Sequence, residues 1–307
     1  MKILVTGGAG FIGSNLVDGL LEKGYEVAVV DNLSTGKREN LNEKATFFEV
    51  DITDKEALAK AFEEFKPEAI HHLAAQASVR ISTDKPTEDV RINVIGTINL
   101  LELALTHNVK KIIFSSTGGA IYGDGVARPT TEDAEEDPIC PYGIDKLFGE
   151  KYIKYFAGIS NLQTTCLRYA NVYGPRQNPK GEAGVVAIFG LRMLGNEPCQ
   201  INGNGEQTRD FVYVSDVVTA NLAALESEEM GTFNVGTAVE TNINELADLM
   251  KEISGSTSEI SHTEAKPGEQ MNSSLSFDHA KQVIGWVPQV TIKEGLEKTI
   301  NYFKNAS

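Results

Sequence analysis

Near its start the chain carries an unbroken apolar run, Ile3-Leu4-Val5, which ends at Thr6, just before a cluster of glycines. A short continuous run of this kind suits a strand buried on both faces. The period then changes. Leu16, Val17, Leu20 and Leu21 recur three and four apart, the spacing of one helix face. The same exchange of β-branched runs for helical stretches repeats along the first half. It predicts strands over 2–7, 25–30, 46–50, 69–74, 111–116 and 163–168, and helices over 13–23, 54–65, 88–107 and 141–157. Buried strands joined by crossover helices imply an α/β fold with a doubly wound parallel sheet, which binds its ligand at the carboxyl ends of the strands.

After Arg168 the rhythm breaks. Residues 171–207 are rich in Gly, Pro and Asn and read as loops with one short helix near 185–194. A helix at 215–226 and a strand at 232–235 return to the sheet, and 241–307 form helices and loops broken at Pro267 and Pro288. The expected plan is a dinucleotide domain, 1–170 and 208–238, interleaved with a smaller substrate domain, 171–207 and 239–307, that roofs the strand ends. The cleft between them suits a second ligand.

Composition narrows the partners. Twenty-eight basic against 43 acidic residues give a net charge of −15 without a basic cluster, so nucleic acid and anionic membrane surfaces are poor partners. Three irregularly spaced cysteines, Cys140, Cys166 and Cys199, fit buried thiols in a reducing compartment. The first strand begins at once and no apolar run approaches a membrane span, so a cytoplasmic protein is expected.

Between the first strand and the first helix stand Gly7, Gly8, Ala9, Gly10, Phe11, Ile12 and Gly13. Glycine lets backbone N–H groups approach a pyrophosphate at a helix N-terminus. The second strand ends in Asp31, where a carboxylate can hold the ribose hydroxyls of NAD and repel the 2′-phosphate of NADP. Tyr142 and Lys146 are four apart near a predicted helix start, so they share a face. A free phenol, with a pKa of about 10, is a poor base at neutral pH. A neighbouring ammonium and a positive nicotinamide ring would lower it, making Tyr142 a general base for a hydroxyl. Ser115, Ser116 and Thr117 close the fifth strand, where one hydroxyl can bond the same substrate oxygen; an ordinary strand-to-loop cap is the other reading. Asp51 suits either an adenine contact or the N-cap of the 54–65 helix. His71 and His72 are adjacent on a strand and point to opposite faces, so they cannot share an ion; no metal is expected.

Taken with Asn93-Val94-Ile95-Gly96-Thr97, His72-Leu73-Ala74-Ala75-Gln76, the run Leu167 to Pro175 and the run Gln207 to Val214, these motifs resemble the extended short-chain dehydrogenase/reductases of the nucleotide-sugar group, over essentially the whole chain. The resemblance implies a Rossmann domain, NAD as cofactor, a UDP-sugar substrate, a homodimer and inversion of a UDP-hexose at C4. It puts Gly7, Gly10, Phe11, Ile12 and Gly13 on the pyrophosphate. Asp31 falls on the adenosine ribose, Asp51 and Ile52 beside the adenine, and Asn32, Ser34, Thr35 and Gly36 also bind the cofactor. Leu73, Ala74, Ala75, Gln76, Asn93, Ser115, Tyr142, Lys146 and Tyr169 fall along the nicotinamide half. Tyr142, Lys146 and either Thr117 or Ser116 become catalytic, and Asn171, Arg209, Lys266 and Glu269 hold the UDP. Two plainer readings stand beside these: Arg209 and Asp210 as a surface ion pair, and 266–269 as an ordinary turn. Ser273, four after Glu269, corresponds to the position bounding the pocket beside the sugar's 2-substituent, where a small residue admits an N-acetyl group; a shifted loop that leaves Ser273 facing solvent is the other reading.

The chain also departs from relatives. Dehydratases carry an acidic pair after the strand-five threonine and decarboxylases a carboxylate in the same loop; here those positions are Gly118 and Gly119. Asn202 replaces an aromatic that stacks on the base. Rival readings are a dehydratase, a decarboxylase or a uronate epimerase of the same group, a dehydrogenase that releases NADH, and a non-catalytic dinucleotide sensor.

Overall fold

Every strand expected in the first half forms, and each is covered on both faces. The computed structural model describes residues 1–179, 184–265 and 270–306. The chain runs through β1 (Lys2–Thr6), α1 (Phe11–Glu22), β2 (Glu26–Asp31), β3 (Thr46–Glu49), α2 (Lys55–Phe65) and β4 (Ala69–His72). Next come α3 (Val79–Asp84), α4 (Pro86–Val90), α5 (Gly96–Thr106), β5 (Lys111–Thr117), the one-turn α6 (Gly118–Ile121), α7 (Pro141–Gly158) and β6 (Gln163–Tyr169). Beyond lie β7 (Asn171–Tyr173), α8 (Val185–Leu194), β8 (Cys199–Asn202), β9 (Thr208–Arg209), β10 (Phe211–Tyr213), α9 (Val214–Glu226) and β11 (Gly231–Val235). The last segment holds β12 (Thr241–Asn242), α10 (Ile243–Ser254), β13 (Ile260–Thr263), α11 (Asp278–Val283) and α12 (Ile292–Ala306).

Seven parallel strands stand in the order β3-β2-β1-β4-β5-β6-β11. Strand order reverses between β1 and β4, and a ligand crevice opens at the carboxyl ends beside such a switch point. Alternation fills both faces. Ile3, Val5 and Val29 pack with Leu16 and Leu20 of α1 and Val217 and Ala220 of α9. Leu4, Val30 and Ile70 pack with Leu58 and Phe62 of α2, Leu100 of α5 and Ile153 of α7. A third cluster lies over the strand ends: Phe189 and Met193 of α8, Leu246 and Met250 of α10, and Leu296 and Ile300 of α12.

Three expectations need correction. The 88–107 helix is not continuous: α4 starts at Pro86, a π turn spans Arg91–Ile95, and α5 follows. Proline at a first helical position costs nothing there, which fixes the start, and the π turn adds a residue that periodicity does not register. The stretch read as loops holds β7, paired with β10, and β8, paired with β13; runs of three or four residues are too short to declare a period. Asp51 does not cap α2, because Asp54 does, accepting from the Ala57 N–H at 3.0 Å. Of the cysteines, Cys166 and Cys199 are buried while Cys140 is only half-buried. Among the described residues no helix is long and apolar enough to cross a membrane.

Candidate active site

The turn after β1 is built so that nothing but backbone fits. Gly7 has φ +72°, and a β-carbon on Gly13 would lie 2.1 Å from the Gly7 carbonyl oxygen. Gly10, at the N-cap of α1, offers no side chain to the first helical turn. The arrangement fits a dinucleotide pyrophosphate: a positive helix end, free of side chains, beside the switch point. Asp31 is buried, and its oxygens accept from Ala9 N–H at 3.0 Å and Leu33 N–H at 2.8 Å. Burial raises its pKa, while those two bonds oppose the shift. A carboxylate offers about four acceptor positions, so capacity for ribose hydroxyls remains. Asn32 bonds Asp51 at 3.0 Å, and Ser34 N–H bonds Asn32 at 3.0 Å; Thr35 is exposed and Gly36 lies against the Asp31 carboxylate. Burial pushes Asp51 upward, but hydrogen bonds from Thr53 and Asn32 and the Arg91 charge carry it below its ordinary value.

Leu73 to Gln76 leave the end of β4 and are tied to the helices by side-chain bonds. Asn93 and Gln76 bond reciprocally, at 2.9 and 2.8 Å. His72 links strand to helix with one consistent set of protons. Thr97 Oγ1 donates to the Asn93 carbonyl at 2.6 Å, so it must accept from His72 Nε2–H at 2.9 Å. His72 Nδ1 then accepts from Thr6 Oγ1 at 2.7 Å, which itself accepts from Ala74 N–H. The ring is therefore neutral, and burial followed by the Lys146 charge brings its pKa down to about 3. His71, on the opposite face, bonds Asn221.

Tyr142 sits in the first turn of α7, which approaches α6 closely because residue 143 is glycine: a β-carbon there would lie 2.3 Å from the Ala120 carbonyl oxygen. One turn on, Lys146 is buried, donates to the Ser115 carbonyl at 2.7 Å and lies 4.6 Å over the Phe114 ring. Burial lowers it to about 8, against the pull of Glu150 and Asp89. The three hydroxyls ending β5 divide their work. Ser115 bonds the Tyr169 phenol at 3.0 Å, and Ser116 donates to Glu150. Glu150 also binds the buried Arg168. Thr117 lies with Tyr142 on the wall of a cavity of about 390 Å³.

That cavity brings together Phe11, Ile12, Ser116, Thr117, Tyr142, Tyr169, Asn171 and Arg209. A methyl built on Gly119 would lie 3.9 Å from Asn171 Oδ1 and 4.0 Å from Thr117 Oγ1, so these two side chains face one spot that holds no acid. Arg209 donates to the Thr208 carbonyl at 2.7 Å. Asp210 is not its surface partner: it is fully buried and accepts from Thr237, Ala238 and Leu275. Lys266 and Glu269 lie outside the described residues. Ser273 is 6 % exposed and is not among the cavity-lining residues. Asn202 ends β8, and Thr263 reaches its side chain at 3.4 Å. Tyr173 and Phe211 also line the cavity, within the motif runs cited for the resemblance but without a role assigned there, and so does Gln177, which went unremarked in the sequence although a polar residue just past Gly174-Pro175 carries a local signal.

The model of the NAD dependent epimerase/dehydratase family matches residues 3–236. The chain is 52 % identical to a UDP-glucose 4-epimerase of Thermotoga maritima solved with UDP-glucose, covering 100 % of this chain and 99 % of that one at a TM-score of 0.98. It is 43 % identical to the Thermus thermophilus UDP-glucose 4-epimerase solved with NAD, covering 100 % of both at a TM-score of 0.95. A putative UDP-glucose 4-epimerase of Methanocaldococcus jannaschii is 46 % identical over 99 % of this chain and 98 % of its own length.

Proposed function

The chain belongs to the NAD dependent epimerase/dehydratase family, and from that membership we propose that it is an NAD-dependent isomerase inverting C4 of UDP-glucose and UDP-galactose. The observation carrying this reading is the meeting, in one cavity, of a phenol, a strand-end hydroxyl and a guanidinium beside the glycine turn. Tyr142 takes the proton of the 4-hydroxyl, with Thr117 bonding the same oxygen and Lys146 holding positive charge nearby. The glycine turn and Asp31 would hold NAD, which would supply a reversible hydride acceptor for C4. Arg209 grips the pyrophosphate through its planar fork, Asn171 holds the nucleotide beside it, and Lys266 and Glu269 complete the hold. The 4-keto sugar turns about that anchored pyrophosphate and presents its other face, and Tyr142 gives the proton back.

Gly118 and Gly119 supply no carboxylate for dehydration or decarboxylation, which favours epimerisation over those family chemistries. The division of labour is a dinucleotide domain of 1–170 and 208–238 and a sugar-nucleotide domain of 171–207 and 239–307, working in the cytoplasm. The unit is a homodimer. Ile144, Phe148 and Tyr155 on α7, with Ile159 at its C-cap, expose one apolar stripe beside exposed Val90 and Ile95. Incubation with UDP-glucose should reach an equilibrium mixture with UDP-galactose without net NADH. Tyr142→Phe should lower kcat by at least ~10²-fold while retaining NAD; net NADH, or Tyr142→Phe within tenfold of wild type, would defeat the reading. Small Ser273 further leads us to expect turnover of UDP-N-acetylglucosamine. Ser273→Tyr should selectively lower kcat/KM for that substrate, whereas equal losses on both sugars would refute the assignment.

A further inference from the structure

Two carboxyl groups face each other where α4 packs on α7. Asp89 is fully buried and Asp145, directly before Lys146, is 3 % exposed. The Asp89 carboxyl lies within hydrogen-bonding and charge reach of Asp145. Yet Oδ2 of each is shut away from solvent and accepts from no N–H or O–H among the described residues. An ionised carboxylate only accepts, so a bond between two of them needs a proton on one. Two like charges this close in a buried site also repel too strongly for both to ionise. The donor that the side chains do not provide is thus supplied by one carboxyl itself.

The pair has connections at both ends. Asp89 Oδ1 accepts from Gln76 Nε2, and Gln76 bonds reciprocally with Asn93. Asp145 rides on α7 between Tyr142 and Lys146. We propose that Asp89 and Asp145 are a proton-sharing carboxyl pair that positions α7, and with it Tyr142 and Lys146, against Gln76 and Asn93. The proposal rests on the reading of Tyr142 and Lys146 given above, but the shared proton itself does not. Both aspartates are positioning residues, one bond removed from the groups that meet the ligands.

The neighbouring charges are few. Lys146 and Glu150 lie on the same helix, the Cys140 thiol precedes it, and on α3 the exposed Arg80–Asp84 pair faces water. On α4 and the π turn, Glu88 and Arg91 pair with each other at the surface. Burial, then the hydrogen bond and charge of Asp89, push Asp145 up to about 7. The folded chain therefore keeps a proton between about pH 4 and 7 that the unfolded chain has lost, so this site's contribution to stability falls as pH rises through that window. Lys146, lowered to about 8, has the opposite sign at higher pH: there the unfolded chain holds the extra proton and stability rises.

Asparagine at either position keeps a donor and cannot ionise. Asp145→Asn should therefore retain NAD and turn over within about threefold of wild type at pH 7, and its Tm should gain on wild type as pH is raised from 5 to 8. Asp145→Ala leaves Asp89 with an unmet buried oxygen and should lose about tenfold in kcat. Infrared spectra of the purified holoenzyme at pH 6 should show an un-ionised carboxylic acid band that is absent from both Asp145→Asn and Asp89→Asn. If wild type lacks that band, or the Tm difference between wild type and Asp145→Asn is flat with pH, the shared proton is overturned. If the band is present but Asp145→Ala matches wild type in kcat, the positioning role is overturned while the epimerase reading stands.

Discussion

Ser116 and Thr117 are consecutive hydroxyls at the end of β5, and alternation along a strand sends them in different directions. Ser116 points into the buried network of Glu150 and Arg168, whereas Thr117 faces the spot shared with Asn171. The sequence alone left both as candidates, since each is a hydroxyl in the right place and the glycines that follow blur the register. Their variants should separate cleanly. Thr117→Val should cut kcat at least tenfold with stability nearly unchanged. Ser116→Ala should cost about 1–2 kcal/mol of stability, because Glu150 loses a donor in a buried site, and alter kcat far less. Chemical denaturation and steady-state kinetics on both proteins test the distinction, and the reverse pattern would make Ser116 the reacting hydroxyl.

At the scale of elements, His72 pins the end of β4 to α5 through Thr97, and Thr6 holds its other side. Protonation would take away the acceptor that Thr6 needs. Burial holds His72 near 3 and His71 near 4, below the ordinary histidine value, so the unfolded chain takes up protons first as pH falls. Stability is then fully present above about pH 6.5 and declines below it, by up to roughly 2 kcal/mol per histidine at pH 5. Denaturation midpoints measured from pH 7 to 5 should fall accordingly, and replacing His72 with Gln should flatten the slope; an unchanged slope would count against the neutral pin. Such elements were legible in the sequence wherever a period ran long enough. The sheet strands, α1, α2 and α7 lie within a few residues of their expected limits. The π turn at Arg91–Ile95 was not, because its apolar spacing still looks helical and the extra residue leaves no compositional trace. The pairing of Asp89 with Asp145 was equally invisible: their contact belongs to the packing of α4 on α7, and each alone reads as a solvated helix charge.

For the whole molecule, an acidic chain of net charge −15 presents an apolar stripe along α7, and the homodimer proposed above would cover that stripe with a second copy. Phe148→Glu combined with Tyr155→Glu should yield monomers in sedimentation velocity, with NAD retained. A dimer persisting in that double variant would move the interface elsewhere. The order of strands has another consequence, for how the protein is made. β6 waits for its outer neighbour β11, and about sixty residues intervene between them. While a ribosome is still delivering that stretch, β6 is an open edge with unpaired backbone groups and an apolar face, the kind of surface that recruits other nascent chains. Residues 1–170 expressed alone would keep that edge permanently. The seventh strand thus acts as a seal applied late in synthesis.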